Sequence, residues 1–123
     1  METREVIARY YEFANKGDWS AWVDLFSPDQ VMDEQLAGHV EGQHTLRQMM
    51  AEFPKMYSVF QNIPRHIVIE GNEAAVFSHI SAETPGGDSV EADVANYFHV
   101  TSGRINYMSN VHDTLPFKAL ASK

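Results

Sequence analysis

The chain reads as an α+β domain in which helices come first and a long antiparallel sheet follows. Three observations predict this. Apolar residues recur at helical spacing up to Phe53, and from Arg65 onward the period shortens to two. Turn-forming clusters at Gly71-Asn72, Pro85-Gly86-Gly87 and Thr101-Ser102-Gly103 divide that second half into strands. The length, 123 residues of which 44% are hydrophobic and 21% charged, suits one folded core and not two. Elements in this order place the helices against one face of the sheet.

From Thr3 to Lys16 the residues Val6, Ile7, Tyr10, Phe13 and Ala14 form one apolar stripe, with Arg4, Glu5, Arg9 and Glu12 mostly off it. Gly17 suits the C-terminal cap of this first helix, and Asp18 the N-cap of a second. In that second helix Trp19, Trp22, Val23 and Phe26 repeat the spacing up to Ser27-Pro28. The stretch from Val31 to Gly42 then reads as the first strand and its loop. Leu46, Met49, Met50 and Phe53 define a third helix that Pro54 is expected to stop. Residues 55–62 carry no clear period and read as an irregular connection or a brief helical turn. Four strands follow, within 65–70, 73–83, 89–100 and 104–113, as a meander.

Strand parity assigns faces. In the third of these strands Ala92, Val94, Asn96, Phe98 and Val100 share the inward side, and Asp93, Ala95, Tyr97 and His99 the other. In the fourth, Met108, Asn110 and His112 lie opposite Ile105, Tyr107, Ser109 and Val111, so both faces are mixed, which points to a pocket or an interface. The pair Asp33-Glu34 stands beside Val31 and Met32 in the first strand. Burying an ionised acid is costly unless it finds partners or changes its proton affinity, so an acid facing the core there is either a burden the fold compensates or the reason for a pocket.

Composition excludes several functions. The formal net charge is −8, with nine Lys plus Arg against seventeen Asp plus Glu, which disfavours nucleic acid and anionic membrane surfaces as partners. No cysteine is present, so neither a disulfide framework nor a thiol nucleophile enters. The six histidines form no recognisable ligand spacing, and His39 with His44 is a loop coincidence, so no metal is expected. The opening METREVIARYY lacks the pattern of a signal peptide and no segment approaches a membrane span, which makes a cytoplasmic protein the expectation.

The segment RYYEFANKGDWSAWVDLFSPDQVMDE, a glycine just before a helix, the run NEAAV and a final strand opened by GRI together resemble a known group. It is the ketosteroid isomerase and SnoaL-like polyketide cyclase branch of the nuclear transport factor two superfamily, and the likeness spans nearly the whole chain. The resemblance implies a cone-shaped α+β barrel: three N-terminal helices in a strongly curved, mostly antiparallel sheet, a deep pocket between them, and commonly a homodimer. Its isomerase members use a general-base carboxylate at the end of the first strand and two hydrogen-bond donors opposite. By position the base falls on Glu34, the phenolic donor on Tyr10 and the second donor on Asn96. Two departures bear on substrate. An amide replaces the protonated Asp of the isomerases at Asn96, which argues against steroid isomerisation. Asn110 and His112 make the closing strand more polar, which favours a smaller or more oxygenated ligand. The Asp–Arg–Asp cluster of the epoxide-opening relatives is not found on the inward positions.

Each residue also has a plainer reading. An acid pair at a strand end serves as a solvated rim or a cap, and a tyrosine in a helical stripe is ordinarily core. Asn96, on an apolar strand face, must be satisfied by a ligand, water or another side chain. His79 and His99 fall on the outer parity. Trp19, Trp22, Phe26, Met49 and Met50 are most simply core, although methionine-rich walls accept irregular ligands. The functional expectation is a cofactor-independent isomerase or cyclase acting on an apolar or polyketide-like carbonyl compound. In it Glu34 is the base, Tyr10 and Asn96 are the polarising donors, and His112 with Asn110 orients the ligand. Asn110, Met108, Phe98, Met50, Phe53 and Trp22 are the expected contacts to a small hydrophobic ligand. The rival is a non-catalytic ligand-binding or dimeric interaction module. Convergence of Glu34, Tyr10 and Asn96 on one cavity favours the enzyme, and a cavity filled by Met50 and Phe98 favours the rival.

Overall fold

Four helices and six strands make up the computed structural model, which describes residues 1–121. In chain order they are α1 (Thr3–Lys16), α2 (Trp19–Asp24), β1 (Phe26–Glu34), β2 (Gly38–Glu41), α3 (Gln43–Met56), β3 (Val59–Glu70), β4 (Glu73–Glu83), β5 (Ser89–Thr101), β6 (Arg104–His112) and α4 (Leu115–Ala121). The strands form one sheet in the order β2-β1-β6-β5-β4-β3. The meander β3 to β6 is antiparallel throughout, β1 joins β6 in parallel, and β2 is the hairpin partner of β1. The α+β class stands, with two refinements: a fourth helix is present, and the sheet is mixed and open, with β2 and β3 as its edges. Among the described residues, no helix is long and apolar enough to cross a membrane.

The helical hairpin forms as its caps dictate. Gly17 closes α1 in the left-handed region at φ 72°, and the Asp18 carboxylate accepts from the Ala21 amide at 3.2 Å. The second helix, however, ends at Asp24, and Phe26 opens β1 rather than continuing the helical stripe. The reason is tertiary: the Leu25 carbonyl accepts from the Ile105 amide at 2.8 Å, so pairing with β6 begins where the helix would have gone on. Pro54 does not stop α3, which runs to Met56 and closes with the Tyr57 amide donating to the Phe53 carbonyl. Proline removes one hydrogen bond from that last turn. Tyr57 packs its ring on Phe53 and Phe60, at centroid distances of 5.1 and 6.3 Å, which favours the continuation.

The stretch without a period resolves into the start of β3, which pairs with β4 from Val59↔Glu83 to Glu70↔Glu73. A bulge between Pro64 and His66 shifts its alternation, and its edge position tolerates a proline that a central strand would not. On β5 the inward set is as parity predicts: Val94, Asn96, Phe98 and Val100 are all buried. On β6 an irregularity opposite His99 and Val100 brings Ile105 inward with Met108, both at 0% exposure, against the simple alternation. The main core gathers Val6, Ile7, Phe26, Leu46, Phe98, Ile105 and Met108 between helices and sheet. A smaller cluster of Ala82, Val90, Ala92 and Phe117 seats α4 on the far end.

Candidate functional site

Between α1, α2, α3, α4 and the inner face of the sheet lies a cavity of about 350 Å³. Its walls are largely aromatic and apolar: Trp19, Trp22, Phe53, Tyr57, Phe60 and Phe117, with Met49, Met50 and Leu46. The polar groups on it are few and converge from different elements: Tyr10, Glu34, Asn62, Asn96, Asn110 and His112. That combination is typical of a small-molecule site.

Glu34 ends β1 at the cavity wall, with its side chain 17% exposed. The turn that follows folds back over it, and the Leu36 and Ala37 amides donate to its Oε2 at 2.6 and 2.5 Å. Its Oε1 faces Nε2 of His112 at 3.0 Å, on a ring whose side chain is only 3% exposed. The other ring nitrogen, Nδ1, lies 2.9 Å from the Asp113 carbonyl, which can only accept, so Nδ1 carries a proton. Glu34 Oε1 and His112 Nε2 therefore form a hydrogen-bonded pair that ties the end of β1 to the end of β6. Phe117 of α4 packs against the His112 ring at a centroid distance of 5.1 Å and holds it in place.

Tyr10 reaches the same cavity from α1, packed edge-on against Phe98 at 4.9 Å and tilted against Trp22 at 5.4 Å. Burial first, then the neighbouring Tyr11 and the Glu34 charge, push its phenol well above the ordinary value, so it stays protonated and able to donate. Burial and the Glu34 charge raise Tyr57 as well. Asn96 is tied into the sheet: its Nδ2 donates to the Val76 carbonyl at 3.0 Å and to the Ser78 hydroxyl at 2.9 Å. Both amide hydrogens are thereby engaged, and a donor role for Asn96 toward a ligand requires the amide to turn over. Asn110 and Trp22 line the cavity, and Asn110 Oδ1 and Trp22 Nε1 are enclosed without a hydrogen-bond partner.

Of the expected ligand contacts, Asn110, Met50, Phe53 and Trp22 line the cavity. Phe98 and Met108 do not: both are fully buried in the core beneath it. The cavity is therefore not filled by Phe98, and Glu34, Tyr10 and Asn96 meet in one space. Asp33 points the other way, as strand alternation requires, accepting from the Tyr107 hydroxyl at 2.7 Å and pairing with His39 Nδ1 at 2.6 Å. The Tyr107 bond, then His39, holds its carboxyl below the usual range. His39 sits on β2 between Asp33 and Glu41, and His79 and His99 lie on the outer face. Among the described residues no cluster of three or more His, Asp or Glu could hold a metal ion. Sequence reasoning missed Tyr57, Phe117 and the Leu36 and Ala37 amides. The amides alone had a signal, an acid followed directly by a short turn into the next strand.

A family model described as the SnoaL-like domain matches residues 7–108. This chain belongs to the SnoaL-like family. No curated protein matches it. Several solved structures share the fold of this SnoaL-like chain at low identity. TerC co-crystallised with polyporic acid is 19% identical, with a TM-score of 0.85 over 98% of each chain. A nuclear transport factor two-like protein of unknown function from Burkholderia pseudomallei is 14% identical, with a TM-score of 0.88 over 98% of each chain. IdmH from Streptomyces antibioticus, a candidate polyketide cyclase, is 18% identical, with a TM-score of 0.81 over the whole of both chains. At such identities the likeness establishes the fold.

Proposed function

We propose that this SnoaL-like protein is a cofactor-independent isomerase or cyclase that moves a proton on an apolar or polyketide-like carbonyl compound. The observation that carries this is the Glu34–His112 pair, at 3.0 Å, on the wall of an aromatic cavity that also holds Tyr10. A carboxylate whose Oε2 is fixed by two amides presents Oε1 in one orientation. The second lone pair of Oε1 takes a proton from a carbon next to a carbonyl, while Tyr10 donates to the oxygen on which charge develops. The same carboxyl group returns the proton at another carbon, which is isomerisation, or the enolate carbon attacks a second carbonyl and the carboxyl group returns the proton to the alkoxide so formed, which is ring closure. That TerC was crystallised with polyporic acid supports a small organic ligand for this cavity. The rival reading, a carrier without chemistry, draws on the same saturation of Glu34: three hydrogen bonds already hold it.

The test is Glu34→Gln, which keeps the shape and can still accept from both amides. Deuterium incorporation from solvent into the carbon next to the carbonyl of 2-tetralone, followed by nuclear magnetic resonance, reads proton transfer directly. The variant is expected to fold normally and to exchange roughly 10²–10⁴-fold more slowly. Exchange at the wild-type rate removes Glu34 as the base.

The same proposal includes a homodimer formed through the outer face of the sheet. Val111, Ala95 and Phe77 stand in one row across β6, β5 and β4, with Tyr97, Ala75 and Val68 in the next. Val111 and Phe77 are each 55% exposed and Val68 63%, a continuous apolar face suited to a second copy.

A further inference from the structure

We infer that Asn110 is the second donor to the ligand's carbonyl oxygen, in the role that family resemblance gives to Asn96. The inference rests on the proton-transfer reading of the site and assigns the group that completes it. A developing enolate oxygen in an aromatic cavity needs donors aimed at it, and Tyr10 supplies one. Asn96 has no hydrogen to spare, since Val76 and Ser78 take both.

Register places Asn110 where the second donor is needed. It is the direct cross-strand partner of Asn96 on β5, and on its other side the parallel pairing Asp33↔Ser109 sets Glu34 alongside it when continued by one residue. Glu34, Asn110 and Asn96 thus form one transverse row over β1, β6 and β5, with Asn110 in the middle. Neighbouring strands lie about 4.8 Å apart. That separation lets the carboxylate contact a carbon and the amide contact the adjoining carbonyl oxygen, each at about 3 Å. Within the row Asn96 is a fixed pillar and Asn110 is uncommitted. Its Oδ1 is enclosed without a partner, and among the described residues its Nδ2 meets no hydrogen-bond acceptor. With the oxygen enclosed, the amide nitrogen is the end that a ligand in the cavity can reach. Trp22 Nε1 is a poorer choice, being sealed from the cavity surface.

Infrared difference spectroscopy of 2-tetralone labelled with ¹³C at the carbonyl separates this role from that of the base. On the wild type the carbonyl band is expected to move to lower frequency. In Asn110→Leu that shift should shrink by at least half and exchange should slow roughly 10²–10³-fold. Asn110→Ser, a second variant whose short side chain draws the donor back, should behave alike, with thermal melts confirming that both fold. Glu34→Gln should slow exchange roughly 10²–10⁴-fold and leave the band shift in place. A wild-type band position in both Asn110 variants overturns the inference even if Glu34→Gln is inactive. Rapid exchange in Glu34→Gln instead overturns the base and leaves the band to decide on Asn110. No saturable band shift with the wild type overturns both.

Discussion

Replacing His112 by Ala removes the hydrogen-bond partner of Glu34 Oε1, the bond to the Asp113 carbonyl and the ring that Phe117 packs against. Leaving a buried polar group without its hydrogen-bond partner costs about 1–3 kcal/mol. Glu34 keeps both amide bonds and is 17% exposed, so the loss at the pair stays within that range, about 2 kcal/mol. The lost ring contact adds about 1 kcal/mol. The expected destabilisation is about 3 kcal/mol, or roughly 12 °C in Tm for a domain of this length. Urea unfolding at pH 7 of wild type, His112→Ala, Glu34→Ala and the double variant isolates the pair. With Glu34 already removed, His112→Ala should cost only its packing, leaving a coupling of about 2 kcal/mol. Additivity within about 0.3 kcal/mol refutes the claim that the two side chains are hydrogen-bonded and act as one unit.

Two further outcomes follow from the outer face. His79 pairs with Asp93 at 2.8 Å and Glu91 at 3.0 Å, and the Asp93 bond, then the Glu91 bond, raises the imidazole above its ordinary 6.5. The same contacts lower both acids, and Arg65, 3.5 Å from Asp93, lowers them further and opposes the rise at His79. A raised histidine stabilises fully below 6.5 and loses its contribution as pH climbs through the folded value. The acids stabilise above their ordinary 4.5 and 3.8 and lose it as pH falls through the lowered values. The difference in urea midpoint between wild type and His79→Gln should therefore be greatest between pH 4.5 and 6.5 and fall on both sides, and a flat profile contradicts the assignment. Phe77→Glu combined with Val111→Lys should convert a dimer into a monomer in sedimentation, whereas a wild type that is monomeric at micromolar concentration removes the dimer proposal.

Much of the architecture is local in origin and could be read from sequence. The stripe Val6, Ile7, Tyr10 and Ala14 makes α1 whatever surrounds it, and all four residues are buried. Gly17 and Asp18 cap as their chemistry requires, and Gly71-Asn72 forms the tight turn between Glu70 and Glu73. Parity on β5 chose the correct inner face because that strand carries no bulge over Ala92 to Phe98. Parity also separates Asp33 from Glu34, since neighbours on a strand cannot face the same way.

What failed depends on pairing between distant segments. The α2–β1 boundary is set by the bond from Ile105 to Leu25, the onset of β3 by its match to β4, and the position of Ile105 by an irregularity against β5. No local period records such events, because a bulge changes the face of every residue beyond it. The seven residues of α4 are too few to show a helical stripe, yet they bring Phe117 onto His112. The candidate site shows the same division. Sequence supplied Glu34, Tyr10, Asn96, Asn110 and His112 as residue types able to do the chemistry. Only the parallel seating of β1 on β6 joins Glu34 to His112, 78 positions apart, and only the tie to Val76 and Ser78 takes up the hydrogens of Asn96. A side chain's chemistry is its own, but its partner is fixed by register, and register is a property of the folded sheet.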